Sequence, residues 1–219
     1  MNYYKKISVA AFAVLLALST GLDASGWKTV KDNTWVQLSV RPVRNSKIKE
    51  YMAVAVFDST LSAPIALLED TPNYTRWNYK CIEAKLLLKK NDYERITYMV
   101  TESPWPVENR DIAVRSLLTQ DRNTGVVTIQ LTGLPDYIPP ADGRVRMPSL
   151  SGYWIFEPLG GGKIRATYRL HSEPGGSVPE NLVNGTVRDI VYNTVLKMRS
   201  MVQKNPYINA KLRYIKERP

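Results

Sequence analysis

Cysteine and histidine are almost missing from this chain: Cys81 and His171 stand alone among 219 residues. A single thiol cannot form an internal disulfide, and one His with one Cys makes a poor metal site. A catalytic histidine needs a nucleophile and an orienting acid, and no G-x-S-x-G nucleophile turn occurs. Nothing here assembles side-chain catalysis or implies a cofactor or metal. His171 then reads as a residue at a strand end. Cys81 begins an apolar segment, and a lone thiol in an oxidising compartment is safest buried, so it is expected in the core. Internal repeats and low-complexity linkers are missing too, which leaves one domain able to bury a sizeable core.

The apolar run Ile7 to Leu18, broken only by Ser8, falls short of the roughly 20 residues that span a bilayer. Lys5 and Lys6 precede it and the small residues Ala24-Ser25-Gly26 follow it. That is the pattern of a cleaved secretory signal peptide over residues 1–26, with an uncleaved N-terminal anchor as the alternative. The expected destination is the periplasm. Net charge is +10, of which about +9 stays with residues 27–219. A basic exported protein is drawn to anionic surfaces by long-range electrostatics. Nucleic acid is not an expected partner there.

Trp35 to Val40 alternates like a strand, Met52 to Phe57 is a second, and Leu61 to Glu69 is a short helix after the capping residues Asp58-Ser59-Thr60. Strands are expected over Cys81 to Leu88, Tyr93 to Glu102, Asn109 to Gln120 and Val126 to Thr132. A loop rich in Pro, Gly and charge follows from Leu134 to Pro148. A hairpin then joins Gly152 to Glu157 with Lys163 to His171, around Gly160-Gly161-Gly162. Short turns between consecutive strands imply an antiparallel meander. Its apolar face, carrying Val127, Ile129 and Leu131 and also Ile164, Ala166, Tyr168 and Leu170, must be covered. The cover is a long amphipathic helix with Val183, Val187, Ile190, Val191, Thr194, Val195, Met198 and Val202 on one stripe. Ser177-Val178-Pro179-Glu180 has the form of its capping box, and Asn205-Pro206 ends it.

Four stretches, in order, resemble START (steroidogenic acute regulatory protein-related lipid transfer) domains. Gly26-Trp27-Lys28-Thr29-Val30 resembles their opening. Ser103-Pro104-Trp105-Pro106 leading to Asn109-Arg110-Asp111 resembles their P-W-P…N-R-D segment. Tyr153 to Pro158 with its Gly turn resembles their W…P…G-G hairpin. Glu173-Pro174-Gly175-Gly176 with Pro179 resembles the lead-in to their last helix. The resemblance implies an α+β helix-grip fold: a curved antiparallel sheet wrapped around a long C-terminal helix, with an internal hydrophobic tunnel. Residues 27–205 would be the START-like domain and 206–219 a basic C-terminal tail. The helix that usually precedes the first Trp in that family has no counterpart here.

The implied function is binding one lipid, such as a sterol, hopanoid or phospholipid, and carrying it in the periplasm or between membranes. The expected partners are the lipid, an anionic membrane surface met transiently, and a membrane protein. Two alternatives stand beside it: a helix-grip cyclase or aromatase-type enzyme, and an envelope interaction protein without ligand. The family's tunnel often holds an acidic–basic pair, for which Glu102 and Arg115 are the candidates. Arg115 pointing inward would suit a lipid headgroup or Glu102; pointing outward it is an ordinary solvated side chain. Tyr153, His171, Val187, Val191, Val195 and Met198 complete the set of candidate ligand-binding residues. Trp105 is either a membrane-facing aromatic at the tunnel mouth or a core anchor. The tail interleaves Lys211, Arg213, Lys216 and Arg218 with Tyr207, Ile208, Leu212, Tyr214 and Ile215, a composition that suits an anionic bilayer or a solvated extension. Deleting residues 207–219 is expected to spare the cavity.

Overall fold

The computed structural model describes residues 26–218. The signal-peptide reading of residues 1–26 therefore falls, but for Gly26, outside the described residues.

Three N-terminal strands, β1 (Lys28–Asp32), β2 (Gln37–Arg41) and β3 (Glu50–Asp58), lead into α1 (Ser62–Glu69), a 3-10 turn (Thr71–Asn73) and α2 (Tyr74–Trp77). Next come β4 (Cys81–Lys89), β5 (Glu94–Thr101), β6 (Asn109–Gln120), β7 (Val127–Leu134), β8 (Arg144–Arg146), β9 (Ser149–Gly160) and β10 (Lys163–Glu173). The long helix α3 (Glu180–Met201) follows, and a 3-10 turn (Tyr207–Asn209) opens the tail. One sheet takes the order β1-β2-β3-β10-β9-β7-β6-β5-β4, with β8 on β6. With α3 set against β3 and β10, this is the helix-grip architecture.

The plain meander needs correcting at two points. β3 pairs with the last strand, not with β4, through the register Ala53↔Tyr168, Ala55↔Ala166 and Phe57↔Ile164. All six side chains are buried, so the match of two apolar faces selects the partner, and local alternation cannot announce it. The stretch from Leu134 to Pro148 also contains a strand. β8 runs parallel to the start of β6, held where Arg146 Nε donates to Asp111 Oδ1 at 2.9 Å. A three-residue strand with two arginines carries no apolar period to read.

The stripe of α3 is buried as expected, at Val183, Val187, Val191, Thr194, Val195 and Met198. Burying a Val-sized side chain contributes about 1.5 kcal/mol or more. This offsets the modest helix propensity of β-branched residues. The capping box is not formed. The helix starts at Glu180 with Pro179 at the N-cap and no side-chain cap. Gly175 and Gly176, at φ of +66° and +64°, turn the chain there, and the Pro179 carbonyl accepts from the Leu182 and Val183 N–H groups.

The tail is not a free extension. Tyr207 and Ile215 are buried, Tyr207 donates its hydroxyl to Asp70 Oδ2 at 2.6 Å, and Tyr214 donates to Glu69 Oε1 at 2.6 Å. Of the aromatic and aliphatic residues interleaved with its charges, Tyr207, Leu212, Tyr214 and Ile215 pack against the protein body, whereas Ile208 is exposed.

Candidate ligand tunnel

Strand alternation sends two sets of side chains inward on the central strands. From β5 these are Arg95, Thr97, Met99 and Thr101, and opposite them on β6 stand Ser116, Val114, Ile112 and Arg110. They border two chambers between the sheet and the helices. The first lies against α1 and α2 and encloses about 750 Å³, mouth included. The second lies between the N-terminal half of α3 and the Ser103–Val107 loop and encloses about 870 Å³, mouth included. Asn78, Met99, Leu150, Tyr168 and Leu170 border both, so the two chambers adjoin, and together they are the candidate tunnel. Trp154 and Tyr168 stack at 4.1 Å and 6° on its wall in the first chamber.

Charge inside this space is sparse and paired. Arg95, 8 % exposed, forms an ion pair with Glu69 of α1. Burial and then the bond to Glu69 push the Tyr214 hydroxyl well above the ordinary tyrosine range, so it remains a donor to that carboxylate. In the second chamber Arg110 spends its guanidinium on backbone carbonyls: Pro174 at 3.2 Å, Gly175 at 3.2 Å, and Glu108. It thereby ties the lead-in of α3 to the start of β6. Its neighbour Asp111 is fully buried on the opposite face, where it holds Arg146 and Tyr98.

The Glu102–Arg115 pair is not formed. Arg115 lies on the opposite face of β6, with Nε 2.6 Å from Glu94 Oε1. Glu102 lies past the end of β5, exposed, 3.6 Å from Lys80 Nζ. Tyr153 also points away from the tunnel, under the Arg169 guanidinium at 4.7 Å; its neighbour Trp154 points in. His171 shares that outer face, with Nε2 3.4 Å from Glu173 Oε1. Of the helix candidates, Val187 borders the second chamber, whereas Val191, Val195 and Met198 are fully buried in the helix–sheet core. Cys81 is buried as expected and borders the second chamber.

The tunnel's own polar residues, Glu69, Arg95 and Thr97, were not anticipated. On β5 the apolar alternation Ile96, Tyr98, Val100 suggests that these face the cavity, yet all three are buried on the opposite side. With both faces covered, alternation cannot say which one lines the space. Trp105 is 93 % exposed, so it anchors no core; its neighbours Pro104 and Val107 border the second chamber.

The sequence model of the START domain matches residues 10–207. An uncharacterized protein of Pseudomonas aeruginosa is 35 % identical over 199 residues, covering 91 % of this chain and 97 % of its own length. The crystal structure of a STAR-related lipid transfer protein from Xanthomonas axonopodis superposes with a TM-score of 0.76 at 30 % identity, over 82 % of this chain and 99 % of that one. Human StAR-related lipid transfer protein 5, 19 % identical, shares the fold with a TM-score of 0.73, over 83 % and 88 % of the two chains.

Proposed function

The chain belongs to the START domain family, and on that premise we propose that it binds a single lipid in the tunnel and carries it through the periplasm. The observation that carries this reading is the pair of adjoining, largely apolar chambers between the sheet and the helices α1, α2 and α3. Each methylene moved from water into such a space gains about 0.8 kcal/mol, and concave, largely apolar sites with a few polar groups suit an apolar ligand. The similar protein from Xanthomonas axonopodis, named for lipid transfer, supports the same reading.

Delivery requires contact with a bilayer. Trp105 is exposed between residues that border the second chamber, and an amphipathic indole suits the membrane interface. The net charge of about +9 on residues 27–219 supplies attraction to anionic lipid that is screened within about 8 Å at physiological salt. Periplasmic location rests on Lys5, Lys6, the apolar run and Ala24-Ser25-Gly26; fractionation and N-terminal sequencing of the exported protein test it. Turnover is not part of the proposal. His171 lies outside both chambers, and Glu69 and Arg95 neutralise each other where a cyclase would need a free acid or base.

Protein purified from its own host should yield lipid above a control on organic extraction, and the emptied protein should move lipid between liposomes. Failure of both would overturn the reading.

A further inference from the structure

Two buried polar atoms, on residues that border the first chamber, have no hydrogen-bond partner among the described residues: the Trp77 indole Nε1 and the Thr97 hydroxyl. Trp77 is 1 % exposed and Thr97 is 3 % exposed, and both border the chamber. Buried polar groups are nearly always satisfied, so an unpartnered pair bordering a cavity marks where a ligand's polar end fits. An indole N–H only donates; a threonine hydroxyl both donates and accepts. The complementary group is therefore an acceptor, optionally also a donor: a hydroxyl or a carbonyl.

The charges around the tunnel narrow the class further. A phosphate or carboxylate buried here would need a free cation. Arg95 is committed to Glu69, which Tyr214 also engages. Arg110 is committed to three backbone carbonyls. Arg115 is turned away to Glu94. Neither chamber offers an uncommitted arginine.

We propose that the tunnel selects a lipid with an uncharged hydroxyl or carbonyl head, held at Trp77 and Thr97, and rejects anionic and phosphate-bearing heads. The proposal rests on the lipid-binding reading above and deepens it.

The test is competition on the emptied, full folded chain against a bound fluorescent fatty-chain probe. The competitors share one chain length: cetyl alcohol, the matching methyl ketone, palmitate, cetyl phosphate and hexadecane. The alcohol and ketone should bind at least about tenfold tighter than palmitate and cetyl phosphate, because the charged heads are desolvated without a partner. Thr97→Val preserves side-chain shape, and Trp77→Phe keeps an aromatic ring. Each should weaken the alcohol about three- to tenfold more than it weakens hexadecane, the effect of one hydrogen bond. The head-group assignment is overturned if cetyl phosphate matches the alcohol, or if the variants weaken hexadecane as much as the alcohol. If neither the probe nor any competitor binds, the lipid-binding reading itself falls, and the assignment with it.

Discussion

Glu217 caps a helix that begins far from it in sequence: its Oε2 accepts from the Leu61 N–H at 2.8 Å, and its Oε1 accepts from the Ser62 N–H at 2.8 Å. The residues just before α1 supply no side-chain cap. A carboxylate at this helix start also meets the positive end of the helix dipole.

Truncation before Tyr207 is accordingly expected to destabilise the fold, contrary to the view of the tail as a dispensable membrane-binding appendage. It removes two buried side chains, Tyr207 and Ile215, each contributing about 1.5 kcal/mol or more. Glu217→Ala alone should cost about 1 kcal/mol, the usual loss for a helix cap. Urea unfolding of both variants checks this, and an unchanged midpoint for the truncation would show the packing to be inconsequential.

Asp111 should govern part of the acid response. Burial raises its carboxyl, but hydrogen bonds from Arg146 and Tyr98 outweigh that and hold it below the ordinary aspartate value. A depressed carboxylate contributes stability that is complete above its unfolded value of about 3.9 and is lost as pH falls through its folded value. Asp111→Asn should cost about 3 kcal/mol or more at neutral pH, because it leaves Arg146 without its buried partner. It should also flatten the loss of stability below about pH 4. Denaturant midpoints of both proteins across that range decide the matter.

Cys81 should be nearly inert in the native protein. Burial pushes its thiol up to about 11, so little thiolate exists at pH 8. Reaction with Ellman's reagent at that pH should be slower than in urea-unfolded protein by roughly two orders of magnitude. Equal rates would place the thiol in solvent.

Trp105→Ala should separate membrane docking from folding. The side chain is 93 % exposed, so stability should change by less than about 0.5 kcal/mol. Sedimentation with anionic liposomes and lipid transfer should both fall, and what binding remains should weaken as salt rises. Binding that is undiminished, equal for neutral vesicles and insensitive to salt would move the docking site elsewhere, with a partner protein as the next candidate.

Much of the architecture could be read before folding was considered. The alternation in β7 and β10 and the three- and four-residue steps of α3 named the faces that are buried, because period alone decides which residues share a face. The motif around Trp105 and Arg110, and the Gly-Pro lead-in to α3, pointed to the helix-grip arrangement.

The tunnel's chemistry was a different matter. On β5, Arg95 and Thr97 alternate with Ile96 and Tyr98, and all four are buried. Period two separates the pairs but cannot assign either to the cavity once both faces are covered. Arg115 looked suited to the tunnel from its apolar neighbours, yet the register opposite Ile96 turns it to Glu94. Glu69 meets Arg95, 26 positions away, and Glu217 meets Ser62, 155 positions away. The sequence by itself determined which side chains lie together along each strand and helix, since that follows from backbone geometry. Only the tertiary structure decided which face encloses the ligand space, which charges cancel, and that the tail belongs to the fold, since these depend on contacts between segments that no local pattern records.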